Sequence, residues 1–389
     1  MTGLPRRLAS TRFIQSARSR ALLLAMAALS ACTPPPPVVN KGAIVRSDPF
    51  PGAPGGATAS RIIYSSTAPD GSAIQVSALV VIPPTPAPAG GRPVVAWLHA
   101  TTGIAEGCAP SQGPTPFAQI QGLNQFLAHG DVVVATDYPG LGLPGPHPYL
   151  VGASEARAAL DSVRAVHAMP EARAGTRFAV WGHSQGGQAA LFTASLAPSY
   201  APDLQLVGVA AAAPVTDIAT LLTQPGEDPL WGGLLAYTVA SWSQVYGLQP
   251  TDIVTADAAA TIARAATGCL ETREQLERLT VDAAPLAGQP VTPSDRWRAV
   301  MNENYPQAWS SGVPVLLTQG ARDPVIDPLV TRAFAQRLCQ AGIPVRYVVL
   351  TRGDHYTAGV RSASSAAAWI RDRFAGNPPR DDCESAALR

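Results

Sequence analysis

Between residues 93 and 350, short apolar runs alternate with stretches of helical spacing, and no other feature restricts the fold of this chain as tightly. The runs are 93–98 (PVVAWL), 131–136 (DVVVAT), 178–181 (FAVW), 204–212, 313–318 (VPVLLT) and 345–350 (VRYVVL). They are the length of strands rather than helices, and too continuously apolar to leave one face in water, so both faces must be covered. Residues 117–129, 153–168, the stretch after Ser184, 328–339 and the stretch through Trp369 have helical spacing. Alternation of this kind predicts an α/β fold, a mostly parallel sheet flanked by helices. Upstream, residues 61–67 and 73–82 are β-rich and separated by Pro69-Asp70-Gly71, which predicts a hairpin. The alternation lapses over residues 217–305, which hold Trp231, Leu234, Leu235, Tyr237, Trp242 and Trp297 without an evident strand. A helical insertion over the sheet is expected there.

Gly182-His183-Ser184-Gln185-Gly186 matches Gly-x-Ser-x-Gly, a pattern common enough to carry little weight by its letters. Its position carries more, because it ends the run FAVW and opens an alanine-rich helix, the strand-turn-helix setting that lifts a serine hydroxyl clear of a sheet. A glycine-rich turn at the end of a buried strand is the plain alternative. A serine nucleophile needs a base, and on such a fold its partners follow in the order serine, acid, histidine. Of the histidines at 99, 129, 147, 167, 183 and 355, His355 alone lies beyond Ser184, in the loop Gly353-Asp354-His355 after the run VRYVVL. The acid is expected after the preceding run, where Asp323 is chosen over Asp327, whose place before Pro328 suits a helix N-cap. Asp354, adjacent to the imidazole in sequence, is poorly placed to orient it. The developing oxyanion requires backbone N–H donors. Gln185 is expected to give one, and Thr101, in the loop His99-Ala100-Thr101-Thr102-Gly103, the other.

The N-terminus carries five arginines among its first 20 residues, then an apolar run of 11 residues over 21–31, too short to span a bilayer. It reads as an export signal. Leu29-Ser30-Ala31-Cys32 resembles a lipobox, in which Cys32 would be lipidated and become the first mature residue; a plain cleaved signal is the alternative. Thr33 and the prolines 34–37 would then be a stiff spacer. Outside the cytoplasm disulfides are allowed, and Cys108, Cys269, Cys339 and Cys383 admit three pairings.

Taken together, His99-Ala-Thr-Thr-Gly with Cys108-Ala-Pro, Thr136-Asp-Tyr-Pro-Gly-Leu-Gly142, Trp181-Gly-His-Ser-Gln-Gly-Gly187 and the Asp323 and His355 loops resemble the bacterial members of the secretory lipase family, which is related to the fungal lipase A type. The resemblance extends over most of the chain from about residue 40. It implies the α/β-hydrolase fold, hydrolysis of carboxylic esters including acylglycerols, a helical lid where the insertion stands, and disulfides Cys108–Cys269 and Cys339–Cys383. Ala100 replaces the glycine of the commoner His-Gly loop, which puts the Thr101 donor in question.

The expected organisation is an export signal over 1–32, a Pro/Gly-rich segment over 33–60, a core formed by 61–216 and 306–389, and a lid over 217–305. A net charge of +1, with Lys41 as the sole lysine, leaves no basic stripe for nucleic acid. No cofactor or metal is expected, and the chain is read as a monomer whose partners are an ester substrate and, through Cys32, a membrane. Two other readings compete: an exported serine peptidase, for which Glu227 and Asp228 could anchor a peptide terminus, and a surface-binding module on a catalytically dead scaffold.

Overall fold

The computed structural model describes residues 39–224, 230–386 and 388, so the N-terminal signal, Cys32, the proline run, Glu227 and Asp228 lie outside the described residues. Nine strands form one sheet: β1 (Ile44–Pro49), β2 (Thr58–Thr67), β3 (Ala73–Ile82), β4 (Arg92–Leu98), β5 (Val132–Thr136), β6 (Ala174–His183), β7 (Gln205–Ala212), β8 (Val315–Gly320) and β9 (Val345–Leu350). They lie in the order β1-β2-β3-β5-β4-β6-β7-β8-β9. The pairs β1–β2, β2–β3 and β3–β5 are antiparallel, and every later pair is parallel. The chain thus has an α/β fold with a mostly parallel sheet.

Burial explains why the central runs are apolar throughout. Side chains alternate across a strand, and in β4 and β6 both sets are covered. Val94, Ala96, Phe178 and Val180 face a layer made by α2 (Gly152–His167), α3 (Gln185–Tyr200) and α9 (Pro328–Gln340). Val95, Trp97, Ala179 and Trp181 face α1 (Leu123–His129) and α10 (His355–Phe374) on the other side. Each large side chain so buried contributes about 2–3 kcal/mol relative to exposure.

Between β7 and β8 the chain runs through α4 (Ile218–Thr223), α5 (Leu230–Tyr246), α6 (Ala256–Ala265), α7 (Arg273–Ala283) and α8 (Asp295–Glu303). These helices have a core of their own, in which Trp242 and Trp297 stack with ring centroids 5.9 Å apart. Tyr149, Leu150 and Ile326 join that core from the sheet side and tie the insertion down. Disulfides link Cys108 to Cys269 and Cys339 to Cys383. The first fastens the insertion to the loop after β4, beside an isolated β-bridge between Gly103 and Cys269.

Three elements differ from the sequence reading. Residues 33–60, read as a Pro/Gly-rich segment with no strand assigned, contain β1 and the start of β2; β1 is an edge strand largely open to water, so it shows no apolar alternation. The helix expected over 117–129 begins at Leu123, because Gly122 turns into the left-handed region at φ 88°. His355, assigned to a loop, is the first residue of α10, with Asp354 as its N-cap. Among the described residues no helix is long and apolar enough to cross a membrane.

Candidate active site

Ser184 stands at the turn between β6 and α3, with φ 56° and ψ −116°, a conformation that L residues rarely adopt. Two glycines make the turn possible. A Cβ on Gly182 would lie 2.0 Å from the carbonyl oxygen of Gly186, and one on Gly186 would lie 1.9 Å from that of Leu98. The turn therefore presses its backbone onto the end of β4, where no side chain fits. Ser184 N–H donates to the Ala212 carbonyl at 2.9 Å, which fixes the turn to β7.

The Ser184 hydroxyl lies 2.9 Å from His355 Nε2, and His355 Nδ1 lies 2.9 Å from Asp323 Oδ2. With Nδ1–H donating to the carboxylate, Nε2 is left as the acceptor for the serine proton. Asp323 follows β8 and is held from several sides. Oδ1 accepts the N–H groups of Val325 and Ile326 at 2.9 and 2.8 Å, and Oδ2 also accepts Gln319 Nε2–H at 2.9 Å. Burial raises its pKa, but the bond and charge interaction with His355 and the two backbone donors outweigh that and hold it below the ordinary carboxylate value. Asp327 instead caps α9, accepting Leu329 N–H at 2.8 Å, and Asp354 caps α10, accepting Thr357 N–H at 2.8 Å. Of the three acids weighed in the sequence, the structure brings Asp323 alone to the imidazole.

His183 is buried beside this group and donates through Nε2 to the His355 carbonyl at 2.9 Å. Burial and the nearby His355 push its pKa down to about 3, so it stays neutral. Gln185 opens α3, whose N-terminal N–H groups point toward the serine end of the turn. Thr101 lines the same cleft as Ser184, and its Oγ1 pairs with the Tyr149 hydroxyl at 2.8 Å.

The cleft has a volume of about 290 Å³. Trp97, Leu230, Leu234, Leu270 and Leu276 give it an apolar wall, largely from the insertion, while Gln119, Gln121, Glu271 and Arg273 form a polar side. Burial pushes the Glu271 carboxyl up to about 7. Sequence reasoning missed Gln319, which stands between Asp323 and the Thr331 hydroxyl. It also missed Glu155, a fully buried acid on α2 that accepts Gln185 Nε2–H at 2.7 Å. A lone glutamate inside the alanine-rich stretch of α2 was the available signal.

The profile of a family described as secretory lipase matches residues 117–382. A Mycobacterium tuberculosis protein named probable inactive lipase MT1628 is 28% identical over 355 residues, covering 83% of this chain and 75% of its own length. Lipase 9 of Candida albicans is 25% identical over 279 residues, and Lipase A of Arthroderma benhamiae 25% over 277. Each of these covers 67% of this chain, which spans 60% and 57% of their respective lengths. Among solved structures, Candida antarctica lipase A superposes with a TM-score of 0.73 at 19% identity, covering 89% of this chain and 84% of that one. The rice cell wall degrading esterase LipA from Xanthomonas oryzae superposes with a TM-score of 0.69 at 18% identity, covering 86% of this chain and 99% of its own. These likenesses place the fold with the α/β-hydrolases.

Proposed function

The chain belongs to the secretory lipase family, and from that premise we propose that it hydrolyses carboxylic esters through an acyl-enzyme on Ser184, with His355 as general base and Asp323 as its orienting acid. The observation that carries this reading is the unbroken chain of contacts from Ser184 Oγ through the imidazole to Asp323, each 2.9 Å long. As Oγ attacks the ester carbonyl, its proton passes to His355 Nε2, and the imidazolium is stabilised by the carboxylate on Nδ1. The carbonyl oxygen becomes an oxyanion, received by the N–H groups of Gln185, at the N-terminal end of α3, and of Thr101, in the loop after β4. His355 then protonates the departing alkoxide. In the second half a water gives its proton to His355 as it attacks the acyl carbon, and His355 returns that proton to Ser184 Oγ as the acyl–serine bond breaks and the acid leaves. The leucine wall of the cleft suits an acyl chain.

A relative that bears the name of a probable inactive lipase makes labelling the deciding measurement. Wild-type protein is expected to react with a fluorophosphonate at Ser184 and to cleave p-nitrophenyl esters from acetate to palmitate, while Ser184→Ala does neither. Absence of both in the wild type favours the surface-binding module. Cleavage of peptide p-nitroanilides in preference to esters favours the peptidase, whose suggested anchors Glu227 and Asp228 lie outside the described residues.

The same reading covers export and anchoring, supported by the family's secretory character and by the sequence before Cys32. A diacylated Cys32 would hold the enzyme stably on a membrane, where one chain alone would not. Wild-type protein should sediment with membranes and Cys32→Ser should not; wholly soluble wild type beginning at another residue refutes the anchor.

A further inference from the structure

The motif Thr136–Gly142 and the residues after it take no part in the reaction as described, yet they contact both residues assigned to the oxyanion. Tyr149 is buried, and its hydroxyl pairs with Thr101 Oγ1 at 2.8 Å. Its backbone is fastened to the insertion helix α5 at two points. Tyr149 N–H donates to Ser241 Oγ at 2.9 Å, and Trp242 Nε1–H donates to the Tyr149 carbonyl at 2.9 Å. Ser241 Oγ–H in turn donates to the His147 carbonyl at 2.7 Å. The Tyr149 ring packs edge-on against Tyr237 of α5 at 6.0 Å. Residues 237 and 241 lie one turn apart on one side of α5 and Trp242 follows directly, so one short stretch of the helix grips the segment.

The same segment reaches the other donor. His147 Nδ1–H donates to the Pro139 carbonyl at 2.9 Å, which leaves Nε2 to accept Gln185 Nε2–H at 3.1 Å. Burial pushes this histidine's pKa down to about 3, in keeping with a neutral ring. The second Gln185 amide hydrogen goes to Glu155, which also accepts Leu150 N–H at 3.0 Å.

A backbone donor on a loop is only as well aimed as the contacts that fix the loop, and an oxyanion donor must sit about 3 Å from an oxygen that exists in the transition state alone. Thr101 lies beyond the end of β4, outside the strand ladder. We propose that Tyr149 is a positioning residue for the oxyanion hole: its hydroxyl sets Thr101, and its fastening to Ser241 and Trp242 makes that setting depend on helix α5. The inference rests on the proposed function and adds a role for the insertion beyond covering the cleft.

The test compares wild type with Tyr149→Phe, Thr101→Val, the double variant, Thr101→Ser and Ser241→Ala. For each, kcat and KM on p-nitrophenyl butyrate, inhibition by an alkyl trifluoromethyl ketone, and thermal melting are measured. The ketone reports the oxyanion directly, since Ser184 Oγ adds to its carbonyl carbon, the serine proton passes to His355 and the ketone oxygen takes the negative charge. Losing one aligning hydrogen bond should lower kcat about tenfold in Tyr149→Phe and in Thr101→Val. KM should stay within about twofold, and the inhibition constant should rise by the same factor as kcat falls. The double variant should be no worse than the weaker single one, because both remove the same contact. Thr101→Ser, which keeps the hydroxyl, should lose markedly less turnover and inhibition than Thr101→Val, and Ser241→Ala should shift kcat and inhibition together by a smaller factor than Tyr149→Phe. Unchanged kcat and inhibition in Tyr149→Phe, or additive losses in the double variant, would overturn the proposal while the wild type still labels with fluorophosphonate. A wild type that neither labels nor hydrolyses esters removes the proposed function and this inference with it.

Discussion

Replacing Asp323 by asparagine changes one oxygen to an amide nitrogen, and the contacts around it determine the consequence. Oδ1 accepts two backbone N–H groups, from Val325 and Ile326, so the remaining oxygen of asparagine is held there. The new NH2 group then occupies the position of Oδ2, facing both His355 Nδ1 and the Gln319 amide nitrogen. Two donors cannot face a donor. The imidazole relieves the conflict by moving its proton to Nε2, which leaves Nδ1 to accept and turns a donor toward Ser184. The base is then in the wrong tautomer, a change that costs on the order of 10⁴ in kcat, or about 5 kcal/mol of transition-state stabilisation. Asp327→Asn is the matched control, because asparagine caps a helix as well as aspartate and Leu329 N–H keeps its acceptor. Turnover of p-nitrophenyl butyrate and the rate of fluorophosphonate labelling, at matched melting temperature, should fall together in Asp323→Asn and stay at wild type in Asp327→Asn. Activity of Asp323→Asn within tenfold of wild type would refute the tautomer argument, and the opposite ranking of the two variants would move the acid to Asp327.

Gly186→Ala should destabilise the fold by about 3 kcal/mol, since its Cβ would lie 1.9 Å from the Leu98 carbonyl oxygen and 2.6 Å from that of His99; an unchanged thermal melt would show that the turn can relax. Replacing both cysteines by serine should lower stability by up to about 5 kcal/mol for the 108–269 pair and about 4 kcal/mol for the 339–383 pair, from loops of 161 and 44 residues. Denaturant unfolding measures this, and free thiols at all four positions in unreduced peptides would contradict both bridges. Glu155 is pushed by burial from 4.5 to about 8, so between those values the unfolded chain has lost a proton that the folded one retains. Its contribution to stability therefore declines as pH rises across that window, and Glu155→Gln should flatten the decline in melting temperature.

The parallel half of the sheet is legible in the sequence because doubly buried strands leave continuous apolar runs, and β4, β5, β6, β7, β8 and β9 coincide with them to within a few residues. An edge strand buries little, so β1 leaves no such trace. Ser184, Asp323 and His355 were accessible through chain order and through their places at strand ends, which are local properties. Tyr149, His147 and Glu155 were not. Each acts through a partner about 30 to 90 residues away, and nothing in the residues around Tyr149 indicates that Thr101 and Ser241 will meet it. Gln319 is intermediate: it lies four positions from Asp323, yet a polar residue at a strand end has many uses.

The backbone at Ser184, with φ 56°, is held in a region where glycine is at ease and serine costs about 1–3 kcal/mol. With Ser184 as the proposed nucleophile, selection for turnover and selection for stability would oppose each other at this codon. In a lineage released from the need for activity, a change to glycine is favoured on stability alone, and the sheet, the insertion and both disulfides are left intact. On the proposed function, drift toward inactivity would be downhill here, and inactive descendants should persist as well-folded proteins free to acquire other uses.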